Sequence, residues 1–294
     1  MADLPGCVYI NGEFVKPSEA KISVFDVGFV SGVMVFDVMA GWQGWIFKLD
    51  PHIDRFYRST HAVGFEMPHS KAEFRELFIE TYRRGGVKDA FIECIATPGD
   101  YSPQPIYGRT ASVIIFSVPY RWNVPPAKIE TGASVMFART PNVSFRNVDP
   151  KIKNSNRLHS YMAGREAYDA GVDSLIMLDL DGHVTEGRGE NVFAVRDGRL
   201  YSPSEGILQG VSREAVLEIA EDHGIEAHVG AMTPYDFYTA DEVFFCTTAG
   251  GVMPIVEIDR RKVGDGRPGD VTKKIKDIYW HRHVNEPWAT PVLV

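Results

Sequence analysis

The stretch "PKIKNSNRLHSYMAGREA", residues 150–167, places two lysines directly before a predicted helix. The helix is indicated by residues that share one helical face: Leu158, Tyr161, Met162 and Arg165. A lysine in such a position is usually a solvated surface charge. This stretch alone does not decide whether Lys151 or Lys153 is instead a reactive amine, and the rest of the chain is needed to answer that.

The composition is that of an ordinary globular protein. Of the 294 residues, 44% are hydrophobic and 24% are charged, which is enough to form one large core or two joined cores. The net charge of -8 excludes a broad basic surface for nucleic acid or an anionic membrane. The three cysteines form no CxxC pair and no zinc-ligand spacing. With no signal-peptide pattern and no long apolar run, we expect a cytoplasmic protein.

Strand and helix patterns alternate without a regular βαβ series, which indicates a mixed α+β fold. "CVYINGEFV", residues 7–15, reads as two strands joined by an Asn-Gly turn. "SKAEFRELFIETYRRGG", residues 70–86, reads as an amphipathic helix with Ser70 as its cap. Because adjacent prolines in "YRWNVPPAK" interrupt both patterns, we predict a smaller α/β domain over 1–120, a linker over 121–129 and a larger domain over 130–294.

Two places in the larger domain suit a bound anion. In "LQGVSREAV", Gly210 precedes a helix start whose first N–H groups have no internal partner, and Ser212 is the predicted cap. The loop "TTAGG", residues 247–251, offers hydroxyls and backbone N–H groups. Either one could equally be an ordinary capped helix or turn. No GxGxxG or GxxxxGK[ST] motif is present, so nucleotide binding by those devices is not indicated.

Charged residues at two further places have possible chemistry. Glu186, in "VTEGRGENVF", follows a strand pattern and could cap an N–H group, pair with Arg188 or face a cationic ring nitrogen. His52 and Arg55 lie one helical turn apart and form either an anion clamp or a polar helix face. Arg55 is the better phosphate ligand of the two because its guanidinium can bind in a bidentate manner.

A lysine, an acid, an arginine, a helix N-terminus and hydroxyls are together the groups that bind pyridoxal 5'-phosphate (PLP). With "DGHVTEGRGENVF", "ILQGVSR" and "ADEVFFCTTAGGVMPI", their order and spacing resemble the class IV aminotransferases, the fold-type IV PLP enzymes. The resemblance runs from "VYINGEFV" to "TKKIKDIYW". It implies the two-domain fold of the D-amino acid aminotransferases and a homodimer with a shared active site. No metal site is predicted.

The resemblance also implies roles for individual residues. Lys153 lies thirteen residues before the glutamate of "EA", with Asn156 in the K-x-x-N place, and would form the Schiff base with PLP. Glu186 would pair with the pyridine nitrogen. The other implied cofactor-binding residues are Arg55, Asn191, Leu208, Val211, Ser212 and Thr247. The implied substrate-binding residues are Phe36, Glu93, Trp122, Thr248 and Ala249.

Within the family, "FIECIAT", "VPYRW" and "DPKIKN" are most similar to the (R)-selective amine transaminases, with Glu93 and Trp122 at matching places. D-amino acid aminotransferases hold the substrate carboxylate with an arginine and a histidine in a loop that here reads "TPGDYSPQPIYG", residues 97–108, and contains neither. Desolvating an uncompensated carboxylate costs roughly several kcal/mol. We therefore predict ping-pong transfer of an amino group from an (R)-amine to a keto acid such as pyruvate.

Alternatives stay open at this stage. A branched-chain or D-amino acid aminotransferase would use amino acids, with a substrate carboxylate bound by Arg109, Arg121, Arg139 or Arg146. An aminodeoxychorismate lyase-type enzyme would release pyruvate without a keto-acid acceptor. A non-catalytic PLP-binding relative is the third alternative, and the presence of both Lys153 and Glu186 argues against it.

Overall fold

The computed structural model describes residues 4–103, 105 and 107–294. Helices make up 28% and strands 29% of the structure, so the predicted mixed α/β class is confirmed. None of the helices in these described ranges is long and apolar enough to cross a membrane.

The strands in chain order are β1 (Cys7–Ile10), β2 (Glu13–Val15), β3 (Val35–Trp42), β4 (Trp45–Phe47), β5 (Ala90–Thr97), β6 (Ser112–Pro119), β7 (Ala133–Phe137), β8 (Ser174–Ile176), β9 (Asn191–Arg196), β10 (Arg199–Pro203), β11 (Ala227–Gly230), β12 (Glu242–Thr247), β13 (Gly251–Ile258), β14 (Arg261–Lys262) and β15 (Ala289–Pro291). The helices are α1 (Val27–Ser31), α2 (Leu49–Ala62), α3 (Lys71–Gly85), α4 (Ala127–Thr131), α5 (Leu158–Ala170), α6 (Val211–Asp222), α7 (Pro234–Tyr238) and α8 (Asp270–Arg282).

The chain forms two compact units. The first unit consists of Met1–Arg121, Ile152–Asn156 and Arg282–Val294, and the second consists of Trp122–Lys151 and Arg157–His281. The change of unit after Arg121 lies within the predicted linker. Two stretches of the predicted larger domain, Ile152–Asn156 and Arg282–Val294, belong to the first unit instead.

Backbone pairing explains why these two stretches belong to the first unit. The C=O of Lys153 accepts a hydrogen bond from the N–H of Phe36, and Asn154 forms a bridge with Val35 at the start of β3. The last strand, β15, pairs antiparallel with β4. Neither pairing is visible in local sequence patterns, because its two partners lie far apart in the chain.

The first unit contains a seven-stranded sheet in the order β15-β4-β3-β5-β6-β1-β2. All neighbouring strands in it are antiparallel, including the β1–β2 hairpin predicted from its Asn-Gly turn. One face packs on α2 and α3, with Met39, Ile92 and Ile115 buried against Phe56 and Phe74. Because side chains alternate along a strand, the residues between these lie on the opposite face.

The second unit contains an eight-stranded sheet, in which seven strands follow the order β11-β10-β9-β12-β13-β7-β8 and β14 pairs with β13. It is mixed, because β10–β11, β13–β7 and β7–β8 pair in parallel and the other pairs are antiparallel. Its core includes Val192, Val243, Phe245 and Ile255, all almost fully buried.

The helix predicted near residue 158 is present as α5, but the apolar face that indicated it is exposed. Leu158, Tyr161 and Met162 are 68%, 71% and 53% exposed. The buried side instead carries Ala163 and Ala167, which pack near β8. Small residues allow the helix to lie close to the strand, so the larger apolar residues are left on the outside.

Candidate active site

Lys153 is held by its backbone at the edge of β3. Its C=O accepts from the N–H of Phe36 at 2.9 Å, and its N–H donates to Ser59 Oγ of α2 at 3.2 Å. The ammonium nitrogen Nζ lies 4.6 Å from the centroid of the Phe36 ring. Lys151 has different surroundings, because its side chain is 57% exposed and pairs with Asp149 at 3.3 Å.

Three of the predicted site residues share one face of the first sheet. Val38 of β3 is paired with Glu93 of β5, and Phe36 is paired with Ile95 one step along the same face. This is the face opposite to α2 and α3. Phe36, Glu93 and the Lys153 amine therefore lie on a mostly apolar surface that includes Val38.

Glu93 is the titratable group of this surface. Burial raises the pKa of its carboxyl to about 7, although the positive charges of Lys153 and Arg121 oppose the rise. The charge of Asp37 adds to the rise. A carboxyl group with a pKa near neutrality is typical of functional sites, because its charge changes within the working pH range.

Arg55 lies on α2, on the helix side of the same sheet, and is almost fully buried. Its Nε donates to Asp37 Oδ2 at 2.8 Å and its Nη2 donates to Asp37 Oδ1 at 2.7 Å. His52, one turn earlier on α2, contacts the same carboxylate through Nδ1 at 2.8 Å. The predicted pair of His52 and Arg55 therefore shares a third partner, Asp37, which the sequence reading missed.

Glu186 belongs to the second unit and is fixed by two N–H donors. Its Oε2 accepts from the backbone N–H of Leu208 at 2.8 Å and from Asn191 Nδ2 at 3.2 Å. Asn191 also donates to the C=O of Leu208 at 3.1 Å. The structure thus joins three predicted cofactor residues in one hydrogen-bonded group, with Asn191 as the link.

The helix predicted to begin at Ser212 begins one residue earlier, at Val211, and its N-cap is Gly210. The prediction that Ser212 is the cap was wrong. Its hydroxyl is buried inside the first turn and accepts a hydrogen bond from the Tyr279 hydroxyl at 2.8 Å. Among the described residues, no side chain caps this helix end, so its first N–H groups are suited to an anion.

Thr247 ends β12, and the following loop leads to β13. The Thr247 hydroxyl donates to the C=O of Gly189 at 2.9 Å and accepts from the N–H of Ala249 at 3.3 Å. The C=O of Ala249 accepts from the N–H of Asn123 at 2.9 Å. These bonds hold the Thr248-Ala249 segment in place in the second unit.

Trp122 opens the second unit, and its ring centroid lies 6.0 Å from that of Trp280. The next residue, Asn123, donates from Nδ2 to Glu190 Oε1 at 2.7 Å. Sequence reading missed Asn123 and Glu190, because neither stands in a pattern of its own. Of the loop 97–108, which lacks the arginine and histidine of the D-amino acid aminotransferases, Gln104 and Ile106 lie outside the described residues.

These groups fit PLP. Lys153 supplies an amine for an aldehyde, and Arg55 and the uncapped start of α6 suit a phosphate. A Cβ built on Gly210 would lie 2.0 Å from Asn191 Oδ1, so only glycine allows this helix start to approach the group around Glu186. Glu186, held by two donors, suits a protonated ring nitrogen.

Comparisons with known proteins agree with this chemistry. The family model described as amino-transferase class IV matches residues 34–258. A protein of Methanocaldococcus jannaschii named as a putative branched-chain-amino-acid aminotransferase is 34% identical over 289 residues, which cover 97% of this chain and 98% of that protein.

Two solved structures have the same fold. The branched-chain aminotransferase of Thermoproteus uzoniensis with norvaline has a TM-score of 0.91 and 34% identity, over 98% of this chain and 99% of that one. A second branched-chain amino acid aminotransferase, solved with pyridoxamine 5'-phosphate and with its source given as T.th., has a TM-score of 0.92 and 31% identity, over the same shares of 98% and 99%. On the strength of the family match, the relatives and the shared fold, this chain belongs to the class IV aminotransferases, which are PLP-dependent enzymes.

Proposed function

We propose that this aminotransferase takes its amino group from an (R)-amine and passes it to a keto acid such as pyruvate. The observation that carries the proposal is Glu93, a carboxyl group on the same sheet face as Phe36 and the Lys153 amine. A carboxylate of an amino-acid donor on this face would meet a like charge, which is unfavourable in a partly desolvated site. The apolar Phe36 and Val38 suit the aryl or alkyl group of an amine.

We assign roles to the remaining predicted residues on the same basis. Lys153 holds the cofactor covalently, and its amine removes the proton from the substrate carbon and returns it after the amino group has moved. Bound PLP supplies a ring that takes up the electron pair released at that carbon. Glu186 keeps the ring nitrogen protonated, and Leu208 packs on the ring. Arg55, Val211, Ser212 and Thr247 bind the phosphate.

A second candidate function is that of a branched-chain amino acid aminotransferase. The relatives reported above carry that name. Arg121 favours it too, because its guanidinium lies 5.8 Å from the ring centroid of Phe91, two residues from Glu93 on β5, and could bind a substrate carboxylate. In the amine transaminase, Arg121 or the Thr248-Ala249 segment would receive the carboxylate of the keto acid.

Half-reactions of the PLP-loaded enzyme separate these functions. We expect (R)-1-phenylethylamine to change the cofactor absorbance faster than its (S) enantiomer, L-leucine or D-alanine. Faster reaction with L-leucine would replace the proposal by the branched-chain function, and faster reaction with D-alanine by the D-amino acid function. Pyruvate released from an amino donor without any keto acid would indicate a lyase.

Glu93→Gln provides the matched test of the residue that carries the proposal. Glutamine keeps the size of the side chain and removes its charge, so we expect the preference for (R)-1-phenylethylamine over L-leucine to fall by about tenfold. Glu76→Gln, a change at an exposed glutamate of α3, is the control. An unchanged preference in Glu93→Gln would refute the role of Glu93.

We also propose a cytoplasmic homodimer in which Trp122 and Phe36 line the substrate pocket. Exposed apolar side chains support an assembly: Phe25 and Phe29 are 65% and 64% exposed, and Tyr161 on α5 is 71% exposed. The buried free cysteines are typical of a reducing compartment. Sedimentation equilibrium at micromolar concentration tests the dimer, and a monomeric mass would contradict it.

A further inference from the structure

Asp37 is a fully buried carboxylate in an otherwise apolar strand. It is 0% exposed and lies on the face of the first sheet that packs on α2 and α3. Its Oδ2 accepts from Arg55 Nε at 2.8 Å, and its Oδ1 accepts from Arg55 Nη2 at 2.7 Å. Oδ1 also receives His52 Nδ1 and the N–H of Val38, each at 2.8 Å. A carboxylate with this many donors has one fixed orientation.

The pair formed by Asp37 and Arg55 is better suited to orienting a group than to stabilising the fold. Desolvating two charges offsets most of their attraction, so apolar residues of similar volume would stabilise such a site about as well. The bidentate pair does fix geometry. Because the Nε–Nη2 edge of the planar guanidinium faces Asp37, the plane and the direction of Nη1 are both set by the aspartate.

His52 completes this arrangement as a neutral donor. Burial lowers the pKa of its imidazole, and the charges of Arg55 and Lys153 lower it further, while Asp37 opposes the change. The ionised Asp37 can only accept, so Nδ1 of His52 carries the proton that it donates. The 3.3 Å approach of Arg55 Nη2 to the same Nδ1 is then a contact and not a hydrogen bond. His52 therefore braces Asp37 without adding a charge.

We propose that Asp37 is the positioning residue for the cofactor phosphate, because it holds the Arg55 guanidinium in the orientation in which that phosphate is bound. This inference rests on the proposed function of Arg55. Asp37 also carries a negative charge close to the arginine, and that charge by itself opposes the binding of an anion. Orientation and charge thus act in opposite directions, so removing the charge while keeping the shape shows which effect dominates.

The test compares Asp37→Asn with the wild-type apoenzyme, each titrated with PLP and with pyridoxal, which lacks the phosphate. If Asp37 positions Arg55, the affinity for PLP falls by about 10- to 100-fold, which corresponds to one lost charge-assisted hydrogen bond, and the affinity for pyridoxal is unchanged. Unchanged or tighter PLP binding would overturn the proposal. An equal loss for both ligands would overturn it as well, because it would show general damage to the fold.

Further variants separate this proposal from the role of Arg55 itself. Arg55→Gln should lower the preference for PLP over pyridoxal, and Asp37→Asn should add nothing to it in the double variant. If Arg55→Gln leaves the preference unchanged, the proposed function of Arg55 fails and the inference fails with it. If only Asp37→Asn leaves it unchanged, the inference alone fails.

Two additional variants guard against misfolding and non-specific effects. Asp37→Glu keeps the buried charge pair but moves the carboxylate by about 1.5 Å, the length of one C–C bond. It should also lower the preference for PLP, and wild-type preference in this folded variant would overturn the proposal. Asp50→Asn removes an exposed partner of Arg75 on the same helix and should bind both ligands as the wild type does.

Discussion

Lys151 and Lys153 are separated by one residue but differ in their surroundings. Lys153 has its backbone bonded on both sides, to Phe36 and to Ser59, and its amine lies beside an aromatic ring. Lys151 is exposed and pairs with an exposed aspartate. A surface ion pair of this kind contributes little. Of the two, Lys153 has the fixed, partly apolar surroundings that suit a nucleophilic amine.

We expect Lys153→Ala to abolish both turnover and the visible absorbance of lysine-bound cofactor, because the variant lacks the amine that forms the covalent bond. Lys151→Ala should retain both properties. Absorbance spectra of the purified proteins and a transamination assay measure the two effects. A Lys153→Ala protein that keeps the spectrum would show that another lysine carries the cofactor.

Glu93 makes the stability of the apoenzyme depend on pH. Its pKa is raised to about 7 in the folded protein, so its favourable contribution is complete at pH values below its ordinary pKa. That contribution is lost as the pH rises to about 7 and above. We expect Glu93→Gln to be more stable than the wild type at pH 8, on the order of 2 kcal/mol, and about equal to it at pH 4. Denaturant unfolding at both pH values checks this, and a difference independent of pH would contradict it.

The sequence predicted residues such as Lys153 and Glu186 through the family resemblance, but it did not predict Asp37. The partners of Asp37 lie 15 and 18 residues away. No short spacing rule joins a strand residue to the far side of a following helix. A lone acid in the apolar run "VFDVMA" was the available signal, since an unpaired buried carboxylate is too costly to occur without partners.

At the scale of elements, the start of α6 depends on close packing. Gly210 is the N-cap, and no side chain within the described ranges caps the N–H groups that follow it. Asn191, on β9, fills the space where a Cβ of residue 210 would lie and at the same time holds Glu186. The two ends of the proposed cofactor site in this unit, the phosphate end and the ring-nitrogen end, are therefore connected through one amide.

We expect Gly210→Ala to displace the Asn191 amide, because the new Cβ would lie 2.0 Å from Asn191 Oδ1. The strain should cost about 1 to 3 kcal/mol and weaken PLP binding by about tenfold. Equilibrium titration with PLP measures it. Gly230→Ala is the matched control, since its Cβ would meet no atom of the described residues within 4 Å. Equal affinities in the two variants would contradict this view of α6.

Sequence patterns located the elements well and their surroundings less well. Turn and cap signals predicted the hairpin at Asn11 and the cap at Ser70, and both are present. Periodicity also located α5, but its apolar face is exposed. A pattern shows where similar residues recur along a helix, whereas the depth of the packing surface decides which of them become buried. At β8 the small side chains of Ala163 and Ala167 pack best.

At the scale of the whole molecule, the chain returns to its first unit at its end. β15 extends the first sheet beyond β4, and the N–H groups of Val292 and Leu293 both donate to the C=O of Gly44. Local sequence patterns placed these residues in the larger domain because they follow α8 directly. A domain made of separated segments cannot be recognised from local composition.

We expect removal of residues 288–294 to destabilise the first unit by roughly several kcal/mol, because β15 and the packing of Val292 and Leu293 are lost. The melting temperature of the apoenzyme should fall by about 5 to 10 °C. Removal of Val294 alone, which is 72% exposed, is the control. Calorimetry measures both variants, and equal melting temperatures would contradict the expectation.

The division of the chain also affects its biosynthesis. The segment Ile152–Asn156 that carries Lys153 completes the edge of a strand made early, and β15 completes the same sheet at the end of translation. A nascent chain therefore exposes the edge of β4 until the ribosome releases its last residues, and such unpaired edges are prone to aggregation. Folding of the N-terminal unit is for this reason a post-translational event, and it depends on the cell's chaperones more than the chain length alone suggests.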